Sequence, residues 1–342
     1  MRALFLGLGG VGQRHLRNLK TLVPAAAIGA VRSRGRTFEI DNDLKADTGA
    51  DIVAKYKIAE LPDLAAALAW KPDVAVVATP SALHAAHACP LIEAGIPVLI
   101  EKPVAIDRAS FENLCRAAAA KRAAVMVGYH LRFHPCVRTL KAWLDADRIG
   151  RVQSVEIIVH SFMPAWHAYE KPNAFYAGVR ALGGGVVLTE SHEIDLLCWL
   201  FGPATPVAAT GGRLGPYDID VEDTAAALMT LDIAGRRVPV TLSLSFVQRP
   251  PLRRFAVNGE RGRIVMDLPG LVVRLEGDGQ DAFHLPDGFD RNTVFIDEMR
   301  EFLDCARTGR EPPTSLAAVR DGHMAALGIL DELAGNTERL TS

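Results

Sequence analysis

The sequence predicts an α/β protein in two parts, an N-terminal doubly wound parallel sheet and a C-terminal α+β unit built on an open, mostly antiparallel sheet. Three observations predict it. Residues 3–6 form a short apolar strand that runs straight into Gly7-Leu8-Gly9-Gly10-Val11-Gly12. Strands and helices then alternate as far as about residue 128, the pattern of a parallel sheet covered on both faces. Beyond about residue 150, short strands follow one another with no long helix from 224 to 285, which requires antiparallel pairing. A length of 342 residues accommodates two such units.

Composition bounds the class. Hydrophobic residues are 49% and charged residues 23%, enough to bury a sizeable core. The formal net charge of -2 argues against a general nucleic-acid or anionic-membrane binder, since both need a basic surface. The five cysteines are scattered with no close pair, which points to a reducing cytoplasm and away from disulfides or zinc. The apolar start at residues 1–7 stops at once in glycines and reads as a first strand, not a signal peptide. The longest uncharged run, 74–92, contains Pro80, Pro90 and two histidines, so no membrane span is expected.

In the first part, strand, glycine turn, helix to about residue 22 and a second strand at 26–31 follow within about 30 residues. This is the setting of a dinucleotide fingerprint. Gly7 permits a tight turn, Gly9 lets the backbone approach a pyrophosphate, and Gly12 lets helix and strand pack closely. The helix opened by Gly10 and Val11 presents free N–H groups to phosphates. The second strand ends in Arg32-Ser33-Arg34 where an NAD site usually places an acid, so the cofactor is read as NAD(P) with a lean toward NADP; a solvated basic loop is the plain alternative. A helix at 64–70, strand at 74–78, helix at 84–94, strand at 96–100, helix to 121 capped by Asp107, and strand at 125–128 complete the alternation. Gly7, Arg32, Thr79, Glu101 and Gly128 all fall at strand ends, the edge where such sheets bind ligands. We divide the chain there, into 1–128, dinucleotide-binding, and 129–342, substrate-binding and oligomerising.

The run Val98-Leu99-Ile100-Glu101-Lys102-Pro103 places a lysine where a buried strand ends. Burial lowers a lysine pKa toward neutrality and suits it to proton transfer; alone, the same residues are an ordinary strand-end turn. In the second part, strands are expected at 152–159, 224–232, 238–246, 253–257, 263–266 and 272–275, with helices at 186–200, 293–307 and 315–333. On a helix following Gly183-Gly184-Gly185, Thr189, His192 and Asp195 share one face, so His192 has a hydroxyl one turn before it and a carboxylate one turn after it. The three glycines allow a ligand or another backbone to come close. His84 and His87 are three apart on one helix but no third ligand joins them, and no metal site is expected. Arg132 either holds a phosphate or substrate oxygen or anchors the domain junction. Trp166, His167 and Tyr169 suit either a sugar ring or a core plug.

Together, the glycine turn, Ala78-Thr79-Pro80-Ser81-Ala82-Leu83-His84, Glu101-Lys102-Pro103, Gly128-Tyr129-His130-Leu131-Arg132-Phe133-His134-Pro135 and the stretch from Gly183 to Asp195 occur in order. The set resembles the glucose–fructose oxidoreductase / inositol dehydrogenase / MocA (Gfo/Idh/MocA) family over nearly the whole chain. The resemblance implies a Rossmann domain, a nicotinamide cofactor, and oxidation of a secondary alcohol on a sugar or cyclitol, or its reverse. It maps the family's catalytic lysine to Lys102 and its histidine to His192, and makes Pro103 the candidate for a cis bond. It also implies that Thr79, Pro80 and His84 border the nicotinamide end, that Glu101 and His130 contribute to the cofactor site, and that Thr189, Arg132, Trp166 and His167 meet a small sugar-like substrate. One face of the second sheet commonly joins subunits in the family, so a homo-oligomer is expected. Many members carry an aspartate one turn before the histidine, where this chain has Thr189 with Glu190 beside it. The proton chemistry therefore falls more heavily on Lys102 and His192. Two other readings fit the same motifs: a glycosidase that uses NAD transiently, and a non-catalytic nicotinamide sensor.

Overall fold

The computed structural model describes all residues except Ser33, Arg34, Arg36, Arg122, residues 167–169 and Ser342, and only the backbone of 336–341. Its first half is β1 (Arg2–Leu6), α1 (Gly10–Leu22), β2 (Ala27–Val31), a ribbon of β3 (Phe38–Ile40) and β4 (Ala46–Asp51), α2 (Ile52–Tyr56), β5 (Ala59–Glu60), α3 (Leu64–Ala69), β6 (Val74–Val77), α4 (His84–Glu93), β7 (Val98–Ile100), α5 (Arg108–Lys121) and β8 (Val125–Val127). The strands pair in parallel in the order β5-β2-β1-β6-β7-β8. Val74 to Val77, Val98 to Ile100 and Val125 to Val127 are buried throughout, as a sheet covered on both faces demands. Asp107 caps α5 by accepting from the Ser110 N–H at 2.7 Å. Chain direction across the sheet reverses between β1 and β6, which opens a crevice at the carboxyl edge.

The second half comprises α6 (Pro135–Asp145), β9 (Val152–Phe162), α7 (Val186–Thr189), α8 (His192–Phe201), β10 (Ala204–Gly212), β11 (Thr224–Ile233), β12 (Arg236–Ser245), β13 (Val247–Gly259), β14 (Gly262–Asp267), β15 (Val272–Gly277), β16 (Asp281–His284), α9 (Asn292–Thr308) and α10 (Leu316–Thr341). Its eight strands run β10-β11-β12-β9-β13-β14-β15-β16, antiparallel except where β9 meets β12. The outer strands β10 and β16 are not evident from the sequence. Pro206 and two terminal glycines weaken the strand pattern of β10, and edge strands tolerate both. Along β11, Ala225, Ala227, Met229 and Leu231 face the core while Ala226 and Leu228 face outward.

Two late helices tie the halves together. On α9, Met299 and Phe302 pack with Leu16 and Leu19 of α1 and with Leu99 and Met126 of the first sheet. Helix α10 lies against β10 and α8 and also reaches α5 and β8. Among the described residues no helix is long and apolar enough to cross a membrane.

One expected element is broken. The helix expected at 186–200 is interrupted at Glu190 and Ser191, which separate α7 from α8. Thr189 and His192 therefore sit on different helices. The three glycines before them admit the protein's own chain: a Cβ on Gly183 would lie 2.9 Å from Ser81 Cβ, and one on Gly184 2.5 Å from Tyr176 O.

Candidate functional site

A cavity of about 740 Å³ opens at the carboxyl edge of the first sheet. Its walls come from the glycine turn, Thr79-Pro80, Glu101-Lys102 and His130 on one side, and from Trp166, Tyr176, Thr189, Glu190, His192 and Arg253 on the other.

At one end the glycine turn forms a cradle. Gly7 has φ +92°, and a Cβ there would lie 2.6 Å from Ala78 O. Gly9 is the opposite case: a Cβ would meet nothing within 4 Å, so its bare backbone faces open space. It is also the N-cap of α1, with no side chain capping the helix and no acid in the first turn. The N–H groups at that end are left for an anion, and a pyrophosphate fits this arrangement. Gln13 fixes the neighbouring ribbon, donating to Phe38 O at 3.1 Å and accepting from the Ile40 N–H at 2.7 Å. Arg32 reaches the same cavity, with its guanidinium ion-paired to Glu60. Ser33, Arg34 and His167 lie outside the described residues.

At the other end, the Lys102–Pro103 bond is cis and Lys102 Nζ donates to Thr189 O at 2.6 Å. The helix break explains why that carbonyl is free. In an unbroken helix it would accept from the N–H four residues on. Burial holds the Lys102 pKa below the ordinary lysine range; Glu190 and Glu101 oppose the shift and Arg253 adds to it.

His192 is buried, its Nδ1 has no hydrogen-bond partner, and its ring meets those of His130 and Tyr129 edge-on at 4.5 and 5.6 Å. Burial pushes its pKa well below 6.5, and His130, Lys102 and Arg253 push it the same way, so it is neutral at pH 7. Thr189 Oγ1 has no partner of hydrogen-bond geometry. Burial raises the Tyr176 phenol pKa, with Glu101 and Glu190 adding to it and Thr189 opposing it.

Glu190 and Arg253 join this group. Arg253 grips Glu193 through two bonds of 2.5 and 2.8 Å, and its guanidinium is 3.8 Å from Glu190. Burial raises the Glu190 pKa, with Glu193 adding to it, against the pull of Arg253, Lys102 and Ser161. Glu101 is held from behind: His15 Nε2 meets its Oε1 at 2.6 Å, and its Oε2 accepts from the Lys102 N–H at 3.1 Å. Burial alone would raise its pKa, but His15 and Lys102 bring it below the usual value.

Three expectations are corrected. Arg132 is a junction residue: its Nε and Nη2 donate to Asp195 at 2.8 and 2.6 Å, and its Nη1 and Nη2 also donate to Pro313 O and Ala318 O. It lies outside the wall of the main cavity, since a buried guanidinium takes the nearest full set of acceptors. Asp195 is thereby committed to Arg132 and is not the partner of His192. His84 lies behind the wall, with Nδ1 2.9 Å from Pro103 O and Nε2 2.8 Å from Thr79 O. It braces the two segments that border the cavity instead of entering it.

The sequence reading missed His15, Tyr176 and Arg253. For His15 a signal existed: a histidine one turn after the glycine motif, on the same helix face as Leu19. For Arg253, on a strand sixty residues from its partner, there was none. Among the described residues no three His, Cys, Asp or Glu side chains converge to hold a metal.

A family model described as an oxidoreductase family with an NAD-binding Rossmann fold matches residues 1–129, and a model of the GFO/IDH/MocA C-terminal domain matches residues 137–265. Inositol 2-dehydrogenase 1 of Saccharopolyspora erythraea is 31% identical over 328 residues, covering 90% of this chain and 87% of that one. Myo-inositol dehydrogenase Hyg17 of Streptomyces leeuwenhoekii is 28% identical over 339 residues, covering 95% and 94%. In fold, the WlbA dehydrogenase of Bordetella pertussis, solved with NADH and UDP-GlcNAcA, superimposes with a TM-score of 0.79 at 20% identity over 98% of this chain and 97% of that one.

Proposed function

The chain belongs to the Gfo/Idh/MocA family of NAD-binding oxidoreductases, and from that premise we propose that it oxidises a secondary hydroxyl of a sugar, cyclitol or sugar derivative, or reduces the matching ketone, with Lys102 and His192 as the acid–base pair. The observation that carries the proposal is the Lys102 amine on the freed Thr189 carbonyl, in one cavity with His192 and the glycine turn.

The glycine turn, Thr79, Pro80 and Glu101-Lys102 would hold the nicotinamide dinucleotide, which supplies the hydride acceptor when bound. Lys102, its basicity lowered by burial, takes the hydroxyl proton as the carbon is oxidised. The Thr189 carbonyl fixes the direction of Nζ. Neutral His192 accepts or donates a hydrogen bond to the same hydroxyl and shares its proton. The Thr189 hydroxyl orients the substrate, and Glu190 supplies the carboxylate that relatives place one turn before the histidine. Trp166 and Tyr176 wall the ring. General acid–base help of this kind is worth about 10²–10⁴-fold.

Cofactor selectivity is proposed to be weak, because Glu60 already neutralises the Arg32 guanidinium that would hold a 2′-phosphate. The outward face of the eight-stranded sheet exposes Leu228 and Leu252, and we assign it to a homo-oligomer contact whose test is the mass in solution.

The deciding experiment is a screen of polyols, sugars and sugar acids for net NAD(P)H formation by absorbance. A hit supports the dehydrogenase. Cleavage of a glycoside without net NAD(P)H, or no turnover at all with both cofactors bound, would overturn it.

A further inference from the structure

Among the described residues, Glu298 is an anomalous side chain. It lies on α9, is 0% exposed, and neither carboxyl oxygen has a hydrogen-bond partner. Buried carboxyls without partners are rare because the desolvation cost is not recovered. Across the seam, His15 on α1 is also 0% exposed, and its Nδ1 has no partner either. The two helices are locked in register. Asn18 and Asn292 exchange side-chain hydrogen bonds of 3.3 and 2.8 Å, and the His15 and Phe295 rings meet edge-on at 6.3 Å. Glu298 follows Phe295 by one turn on the buried face of α9. An orphan nitrogen and an orphan carboxyl thus lie on the two helices of one seam, and His15 holds the Glu101 carboxylate at 2.6 Å.

We propose that Glu298 is a positioning acid: it stays protonated and gives its proton in a hydrogen bond to His15 Nδ1, directly or through one trapped water, completing a buried chain Glu298–His15–Glu101 that fixes the strand end carrying Lys102. The atoms match. His15 donates from Nε2 to Glu101 and so presents Nδ1 as an acceptor, which a neutral carboxyl satisfies and a carboxylate does not. The packed elements carry Arg14, His15, Arg17 and Lys20 on α1, Glu101 and Lys102 after β7, Tyr129, His130, Arg132 and His134 after β8, Arg291 ahead of α9, and Asp297, Arg300 and Glu301 beside Glu298 on α9 itself. Of these, Glu101 is the one whose charge reaches Glu298, and after burial it is the second cause keeping that carboxyl neutral. Glu101 accepts from the Lys102 backbone N–H, so the chain ends on the residue proposed as proton acceptor.

The catalytic consequence rests on the proposed role of Lys102, but two readouts do not. Infrared difference spectra at pH 8 between wild type and Glu298→Gln should show a protonated-carboxyl C=O stretch lost in the variant, and His15→Phe should shift its frequency. No such band, or a band indifferent to His15→Phe, would overturn the proposal. Stability gives the second. A carboxyl whose folded pKa lies above its unfolded value loses its stability contribution as pH rises through that interval. The gain in Tm of Glu298→Gln over wild type should therefore grow from pH 5 to pH 8, and parallel curves would sink the assignment. With a substrate in hand, Glu298→Leu should lower kcat about tenfold with KM little changed, while Glu298→Gln, which keeps a donor, recovers most of the loss. Equal losses in both variants would contradict a donor role.

Discussion

Helix α8 carries two buried carboxylates, each gripped by an arginine, and the two pairs differ in what is left over. Asp195 and Arg132 close on each other through two short bonds, and the backbone oxygens of Pro313 and Ala318 take two more of the arginine's donors. Glu193 and Arg253 make the same two-pronged contact, but Glu190 stands 3.8 Å beyond, and Lys102 and the cavity lie next to it. Two residues apart on a helix, the carboxylates face different neighbours. The closed pair staples α8 to the junction between the sheets. The open one keeps surplus charge beside a lysine of lowered basicity. A buried ion pair completed by backbone acceptors serves the fold, and one that leaves a further carboxylate beside the cavity is available for chemistry.

The largest effect tests the open side. Lys102→Met should lower turnover by about 10²–10⁴-fold while cofactor binding, followed by tryptophan fluorescence, is retained. Turnover at the wild-type rate would remove Lys102 from the mechanism.

The closed side should answer in stability. Asp195→Ala leaves Arg132 buried without its counter-ion and should cost about 3–5 kcal/mol in denaturant unfolding. Glu193→Ala, which frees an Arg253 that lines the cavity, should cost less stability and more activity. A reversal of that order would break the contrast between the pairs.

The pH profile sharpens the same contrast. For alcohol oxidation, kcat/KM should rise with pH as the Lys102 amine loses its proton, below the ordinary lysine range. The negative charge of Glu190 favours the ammonium, so Glu190→Gln should move that limb to lower pH. Asp195 is neutralised by its pairing with Arg132, and its substitution should leave the limb in place.

The smallest effect concerns a third pair, Arg32 with the exposed carboxylate of Glu60. Glu60→Gln should tighten NADP relative to NAD by about fivefold or less, since exposed ion pairs are worth about 1 kcal/mol at most. Equal titration curves for the two cofactors before and after the change would show that Arg32 does not reach the 2′ position.

Much of this protein is written in short windows of its sequence. Strand period, glycine spacing and the ends of buried runs are local properties, and they located the glycine turn, Thr79 and Lys102 on one edge of one parallel sheet. The outer strands escaped because Pro206 and the glycines of 211–212 blur the pattern of β10. What a window of residues cannot contain is the choice of partner across the fold. Asp195 and Glu193 look alike in the chain, yet one meets an arginine 63 residues before it and the other an arginine 60 residues after it. His84 reads as a cavity residue until two backbone carbonyls claim both its nitrogens. The interruption at Glu190 and Ser191 follows no helix-breaking residue, and it frees a carbonyl for a lysine 87 positions away. Helix α9, nearly three hundred residues after α1, brings Phe295 to the cavity and Asn292 to Asn18 of α1. Propensity acts over a few residues. Desolvation and hydrogen-bond completion act over whatever the folded chain brings together, and in this molecule they divide the buried charges into those that hold the fold and those that face the cavity.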